Sequence, residues 1–230
     1  MDIYLVRHGE SEANAGLTSQ LDSHLTERGR SQAALTARRF AALKPRGVYV
    51  SPFIRTLETA EPICKSMNAT ASVEPGICEY FSIRHPDFLT FRGLSAEEIT
   101  RRFPFVGTSS YDSGTAPWWP TKHESPESVY FRAVQVRDAL LSRFHGDDAV
   151  VCVSHADTIG RLIEAFLGIP PADIAPWSDN CGITLLRSED AFLPAHGEMD
   201  VQFATSEPTF SLIYQNDTGH LQASMVNAAR

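Results

Sequence analysis

Residues 3–9 run Ile3-Tyr4-Leu5-Val6-Arg7-His8-Gly9, an unbroken apolar stretch that stops abruptly at arginine, histidine and glycine. A short continuous apolar run of this kind is a strand buried on both faces. Its stop places Arg7 and His8 at the strand's C-terminal end, where open α/β sheets do chemistry. A second run has the same form: residues 149–153 are Ala-Val-Val-Cys-Val, and the chain then turns polar at Ser154-His155. A third, residues 47–50, closes at Ser51-Pro52 and is followed within one helical turn by Arg55. If these strands are parallel neighbours, two imidazoles and two guanidiniums converge on one edge of the sheet.

Between the strands the period changes to that of helices. Thr26 is an N-cap candidate for a helix in which Ala33, Ala34, Ala37, Phe40 and Ala41 share a face. Helical spacing returns over residues 55–67 despite Pro62, over 127–144, and over 158–167 before Gly168. Further short strands are expected at 71–73, 182–186 and 210–214. Strand and helix alternate, which predicts an α/β fold: a three-layer α/β/α sandwich with a mainly parallel central sheet. Residues 81–123 break the pattern with aromatics, prolines and glycines, including Phe103-Pro104-Phe105 and Pro117-Trp118-Trp119-Pro120. They are expected to be an insertion after the third strand, lying over the active site within a single domain spanning 1–230. Residues 216–230, small and polar, are expected to fray.

Composition narrows the partner. The 230 residues carry 28 acidic and 20 basic side chains, a net charge of −8, and 43% are hydrophobic. That balance is globular, not disordered. It also excludes a nucleic-acid track, which needs clustered positive charge, but not a small anion held in an arginine-lined pocket. The four cysteines, Cys64, Cys78, Cys152 and Cys181, are widely spaced without a CxxC pair, so neither a zinc site nor a disulfide framework is expected. No stretch has the roughly 20 apolar residues that span a bilayer. The opening residues also lack a signal peptide's basic start and apolar length, so a cytoplasmic protein is expected.

Arginine's rigid fork fits phosphate oxygens in pairs, and neutral imidazole can attack phosphorus, so the converging edge suits phosphoryl transfer. A lone histidine at a strand end is an ordinary loop residue. Two beside Arg7 and Arg55 are different, because burying two guanidiniums there without an anion would be costly.

The residues carrying these side chains resemble the histidine phosphatase superfamily, the clan of cofactor-dependent phosphoglycerate mutases and related acid-type phosphatases. Leu5-Val6-Arg7-His8-Gly9-Glu10-Ser11-Glu12-Ala13-Asn14 is similar to its signature. Leu25-Thr26-Glu27-Arg28-Gly29-Arg30-Ser31-Gln32-Ala33 resembles its LTxxGxxQA helix start, and Ser51 to Ala60 its SxxxRTxxTA segment. Val151-Cys152-Val153-Ser154-His155 resembles the strand bearing its second histidine. The resemblance implies that His8 is a nucleophile forming a phosphohistidine, with Arg7, Arg55 and His155 clamping the phosphoryl oxygens. It also implies that the scheme needs no metal and no cofactor. A carboxylic acid after the third strand would protonate the leaving oxygen. Glu79, between Cys78 and Tyr80, is the candidate, against the alternatives of a surface glutamate or of Asp157 as the acid. Asn14 and Ser11 would help line the phosphate pocket, or Asn14 would serve as an ordinary cap.

Departures from the glycolytic mutases favour a phosphatase. Where those enzymes have a tryptophan-asparagine pair, a YGxLxG stretch and an AHGNSLR segment, this chain has Glu12-Ala13-Asn14, Tyr80-Phe81-Ser82-Ile83-Arg84 and Ser154-His155-Ala156-Asp157-Thr158. The expected activity is therefore a metal-independent phosphomonoesterase acting on a small phosphorylated molecule, with no nucleic-acid or membrane partner. A phosphoglycerate mutase is the alternative, and an idle phospholigand-binding domain is a third. His123 is placed at the pocket rim, Trp118-Trp119 as a lid wall or a buried anchor, and Arg84 as a surface partner of Asp87.

Overall fold

The computed structural model describes residues 1–82, 85, 87–107, 117–172, 177–188 and 209–226. Six strands, β1 (Asp2–Arg7), β2 (Gly47–Val50), β3 (Ser72–Val73), β4 (Ala149–Ser154), β5 (Ile183–Ser188) and β6 (Phe210–Asp217), form one sheet in the order β3-β2-β4-β1-β5-β6. The first four run parallel, whereas β5 is antiparallel to both β1 and β6. Every residue of β4 is buried, as a strand covered on both faces requires.

The helices are α1 (Glu27–Phe40), α2 (Ile54–Met67), α3 (Ala96–Arg102), α4 (Pro126–Leu141) and α5 (Ala156–Leu167). Alternate strand residues face opposite layers. Ile3, Leu5, Val150 and Cys152 pack with the α4 and α5 residues Val136, Leu140, Leu162 and Phe166. Val6, Val151 and Val153 pack with Ala37 and Phe40 of α1 and Leu57, Ile63 and Cys64 of α2. This is the expected three-layer sandwich, each buried aliphatic contributing about 1.5–3 kcal/mol against solvent exposure.

Caps fix where the helices start. The Thr26 hydroxyl accepts from Gly29 N at 3.0 Å, as its position predicted. Gly29 also lets the start of α1 lie directly on the loop after β1, since a Cβ there would sit 2.0 Å from Glu10 O.

Within residues 81–123 the structure adds α3, which the sequence pattern did not predict, and a small aromatic core. Phe81, Phe91 and Trp118 gather around the fully buried Phe53, with Trp118 Nε1 donating to Leu94 O at 2.9 Å. All four cysteines are free and buried, and burial pushes each thiol up to about 12. Of the stretch expected to fray, residues 216–226 are instead tied down, and 227–230 lie outside the described residues. Gln32 Nε2 holds Met225 O at 2.7 Å, Thr36 meets His220, and Asn216 exchanges hydrogen bonds with Asp179.

Candidate active site

The three inner parallel strands end in phase. Arg7 of β1 lies opposite Ser154 of β4, and Val50 of β2 opposite Val153. His8 N donates to Ser154 O at 3.0 Å and Ser51 N to Val153 O at 3.1 Å. Arg7-His8, Ser154-His155 and Ser51 therefore form one row along the C-terminal edge. Helices α2 and α5 begin just beyond that row, so their positive dipole ends face the same edge.

His8 is buried, and its Nδ1 lies 2.7 Å from Gly9 O. A carbonyl only accepts, so Nδ1 carries the hydrogen and Nε2 keeps the lone pair. Arg55 Nε donates to that Nε2 at 3.3 Å. The second imidazole stands with its ring centroid 5.2 Å from the first. His155 is fully buried; Ser51 Oγ holds its Nε2 at 2.8 Å, and Nδ1 has no hydrogen-bond partner. Both rings are held well below the ordinary imidazole range, first by desolvation and then by the Arg55 guanidinium, so they stay neutral.

Arg55 spreads its donors over three elements. Nη1 donates to Leu21 O at 2.9 Å and Nη2 lies 3.8 Å from Glu79 Oε2, while the guanidinium rests 4.3 Å from the Phe53 ring centre. Arg7 donates through Nη1 to Ser178 O at 2.6 Å and faces the Trp177 ring at 5.2 Å; its buried Nε is unpartnered. Burial lowers both guanidiniums from their ordinary values, with Glu79 the largest opposing influence. Glu79 stands 3.6 Å from His155 Nδ1 with its side chain 21% exposed, and its Oε1 accepts from its own neighbour, Tyr80 N. Desolvation raises its carboxyl above the ordinary range against the pull of Arg55.

The structure thus brings His8, Arg7, Arg55, His155 and Glu79 together. Ser11 and Asn14 lie in the turn after β1, where Ser11 Oγ accepts from Asn14 N at 3.2 Å and Ala15 N donates to Ser11 O at 3.0 Å, so Asn14 also caps this turn locally. Asn14 Oδ1 accepts from Ser11 N at 3.3 Å and from Asn180 Nδ2 at 3.1 Å. Asp157 is exposed on the first turn of α5. His123 packs edge-on against Tyr80, and Trp118 is a buried anchor, not a lid wall. The expected Arg84–Asp87 pair lies outside the described residues on its arginine side, and Asp87 accepts from Leu21 N at 3.4 Å.

Four features escaped the sequence reading. Asp22, almost fully buried, accepts from Ile54 N at 2.7 Å and lies 4.0 Å from Arg55 Nη1; desolvation pushes its carboxyl up to about 6. Thr59 Oγ1 accepts from Gly9 N at 2.9 Å. Ser51 lay inside a quoted motif without a role. The segment 177–182 packs over β1: Asn180 Nδ2 donates to His8 O at 3.0 Å, and Cys181 N to Arg7 O at 3.1 Å. It arrives there because β5 is antiparallel, which puts the start of β5 beside the end of β1. Asparagine and aromatic residues just before a strand were its only signal.

Ligand atoms of His8, Glu79 and His155 lie within 4.8 Å of one another, a spacing that could suit a cation. Two guanidiniums at the same edge and the occupied His8 Nε2 oppose one, whereas the unpartnered Arg7 Nε and His155 Nδ1 are suited to oxygens of an anion. This donor set suits a tetrahedral oxyanion beside a neutral imidazole.

A profile of the histidine phosphatase superfamily (branch 1) matches residues 3–193. The chain is 35% identical over 178 residues to the probable phosphoglycerate mutase GpmB of Photorhabdus laumondii, covering 74% of this chain and 76% of that protein. It is 30% identical over 200 residues to phosphoserine phosphatase 1 of Hydrogenobacter thermophilus, covering 82% and 87% respectively. Among solved structures, mycobacterial glucosyl-3-phosphoglycerate phosphatase in complex with VO3 shares the fold with a TM-score of 0.66 at 22% identity, covering 94% of this chain and 98% of that one.

Proposed function

The chain belongs to the histidine phosphatase superfamily, and from that premise we propose that it is a metal-independent phosphomonoesterase working through a phosphohistidine on small phosphorylated molecules. The observation that carries this reading is the buried His8 ring, whose Nδ1–H is spent on Gly9 O while Nε2 faces Arg55. Relatives named as phosphatases of phosphoserine and of glucosyl-3-phosphoglycerate support the substrate class.

In the proposed cycle His8 Nε2 attacks phosphorus, and the N–P bond forms as the P–O bond to the leaving group breaks. Arg7, Arg55 and His155 hold the phosphoryl oxygens, the positioning and charge stabilisation that dominate such transfers. Asn14 and Ser11 complete the phosphate pocket. With Asn14 Oδ1 engaged by Ser11 and Asn180, its Nδ2 is the group left to donate to an oxygen. Glu79, its carboxyl raised by burial, donates its proton to the leaving oxygen. The resulting carboxylate takes a proton from the water that then attacks phosphorus, breaking the N–P bond and releasing phosphate. We assign the five central residues to one domain spanning 1–230, in which Phe81, Phe91 and Trp118 of the insertion 81–123 pack on Phe53 beside Arg55 and His155. No helix among the described residues is long and apolar enough to cross a membrane. Four free thiols fit the cytoplasm, and the expected partner is the small phosphorylated substrate alone.

The test is hydrolysis of para-nitrophenyl phosphate in the presence of a chelator. Turnover should survive chelation and vanish in His8→Ala; unchanged turnover in that variant would overturn the assignment. The relative named as a probable phosphoglycerate mutase favours a second reading. Interconversion of 3- and 2-phosphoglycerate faster than phosphate release would establish it.

A further inference from the structure

We propose that the buried Glu124–Arg132 ion pair is a positioning device for Glu79, holding the loop that carries this carboxyl at the spacing from His155 that proton delivery requires. The inference rests on Glu79 being the acid of the proposed phosphatase cycle.

The pair joins two elements outside the row of strand ends. Glu124 lies two residues before α4 and Arg132 within it, and they meet twice: Arg132 Nε to Glu124 Oε1 and Nη2 to Oε2, both at 3.1 Å. Their side chains are only 10% and 16% exposed. A pair so withdrawn from water is weak support for stability in itself, because desolvation offsets much of the attraction. Its remaining hydrogen bonds show what it does. Arg132 Nη1 donates to Gly76 O at 2.8 Å and Cys78 O at 2.9 Å, while Glu124 Oε2 accepts from Phe81 N at 3.0 Å. Glu124 N also donates to Phe81 O at 3.0 Å. These bonds grip the backbone on both sides of Glu79 and Tyr80 and touch neither side chain.

The opposite side of the loop is held by the residues around His155. Ser154 Oγ donates to Ile77 O at 2.7 Å and Thr158 Oγ1 to Cys78 O at 2.6 Å. The loop is therefore clamped between α5 on one side and the pair on the other. Among the described residues the Glu79 carboxylate accepts a hydrogen bond from its own neighbour's backbone, Tyr80 N, and otherwise meets only the looser contacts with His155 and Arg55. Its carboxyl goes where residues 76–81 go, and the 3.6 Å and 3.8 Å separations from His155 and Arg55 are set by that clamp.

A positioning role for the acid makes a leaving-group prediction that loss of stability does not. An alkoxide needs the proton; dinitrophenolate leaves without it. The quantity to compare is kcat/KM, which reports the step that expels the leaving group, for β-glycerophosphate and 2,4-dinitrophenyl phosphate. Glu79→Gln should lose about 10²–10⁴-fold on the alkyl ester and far less on the aryl ester. Glu124→Gln and Arg132→Met should show the same selectivity, with at least about tenfold more loss on the alkyl ester. Glu124→Asp, which keeps the charge and shortens the reach, should show a smaller loss of the same kind and serves where the other variants fold poorly. Equal losses on both esters, or none, in folded Glu124 or Arg132 variants beside a selective Glu79→Gln would overturn the positioning role alone. If Glu79→Gln is itself unselective, the acid assignment falls first and the proposal with it.

Discussion

Arg55 Nε donates to His8 Nε2 across 3.3 Å, so the guanidinium rests on the one ring nitrogen whose lone pair is free. In the proposed cycle an arriving oxyanion competes for the same donor, and by satisfying Arg55 it would uncover the nitrogen assigned to attack it. A point charge cannot reproduce this, because the effect depends on the planar fork reaching His8, Leu21 O and the phosphoryl group together. Arg55→Lys should lower kcat on para-nitrophenyl phosphate by about 10²–10³-fold, the scale of losing one well-placed transition-state donor. Steady-state kinetics check it, and a loss of less than a few-fold would show that charge alone suffices.

Stability should fall in mild acid because of the two imidazoles. Both are held well below their ordinary value in the folded chain. Above about pH 6.5 each is neutral in both states and contributes no pH dependence. Below it the unfolded chain takes up protons that the folded chain refuses, so stability is lost as pH drops. The urea midpoint should decline from pH 7.5 to 5.5, and His8→Gln should make that decline shallower. An unchanged slope in the variant would contradict burial of a neutral ring.

Asp22 works with the opposite sign. Its carboxyl is pushed up to about 6, so the folded chain binds this proton more tightly than the unfolded chain does. The resulting stabilisation is present below the ordinary carboxylate range and is lost as pH rises towards about 6. Asp22→Asn keeps an oxygen able to accept from Ile54 N but has no charge to desolvate. Its stability relative to the parent should therefore improve between pH 4.5 and 7.5, as urea unfolding at the two values would show. A constant difference would mean that Arg55 fully compensates the buried charge.

Gly29 offers a steric test. An added Cβ would fall 2.0 Å from Glu10 O, which is backbone and cannot rotate away. Gly29→Ala should cost about 1–3 kcal/mol of stability, the scale of overpacking. It should also lower kcat, because the displaced segment begins two residues after His8. Unfolding midpoints and turnover of the same preparation check both, and full activity at parental stability would show that α1 can slide.

The nucleophile candidate and its neighbours were legible because each sits where an apolar run stops, and runs that stop in phase on adjacent parallel strands must share an edge. Arg55 was legible for the related reason that it lies one turn into the helix leaving such an edge. Asp22 was not: within Leu21-Asp22-Ser23 it resembles any turn aspartate, and only the three-dimensional path of the loop buries it against α2. The 177–182 segment was hidden because alternating strands and helices imply parallel strands, and a parallel β5 would have carried that segment to the far edge. Trp118 could be read as a lid wall or an anchor until the partner of its indole N–H, Leu94 O, was known.

The place of β1 in the sheet has a consequence for how the molecule folds. The strand that bears Arg7 and leads to His8 finds both its sheet partners far along the chain, in β4 and β5, residues 149–154 and 183–188. Its ladder on either side is completed only by residues more than 140 positions away. Such pairing between distant parts of the chain closes slowly. The surroundings of His8 therefore depend on closing long loops in the chain.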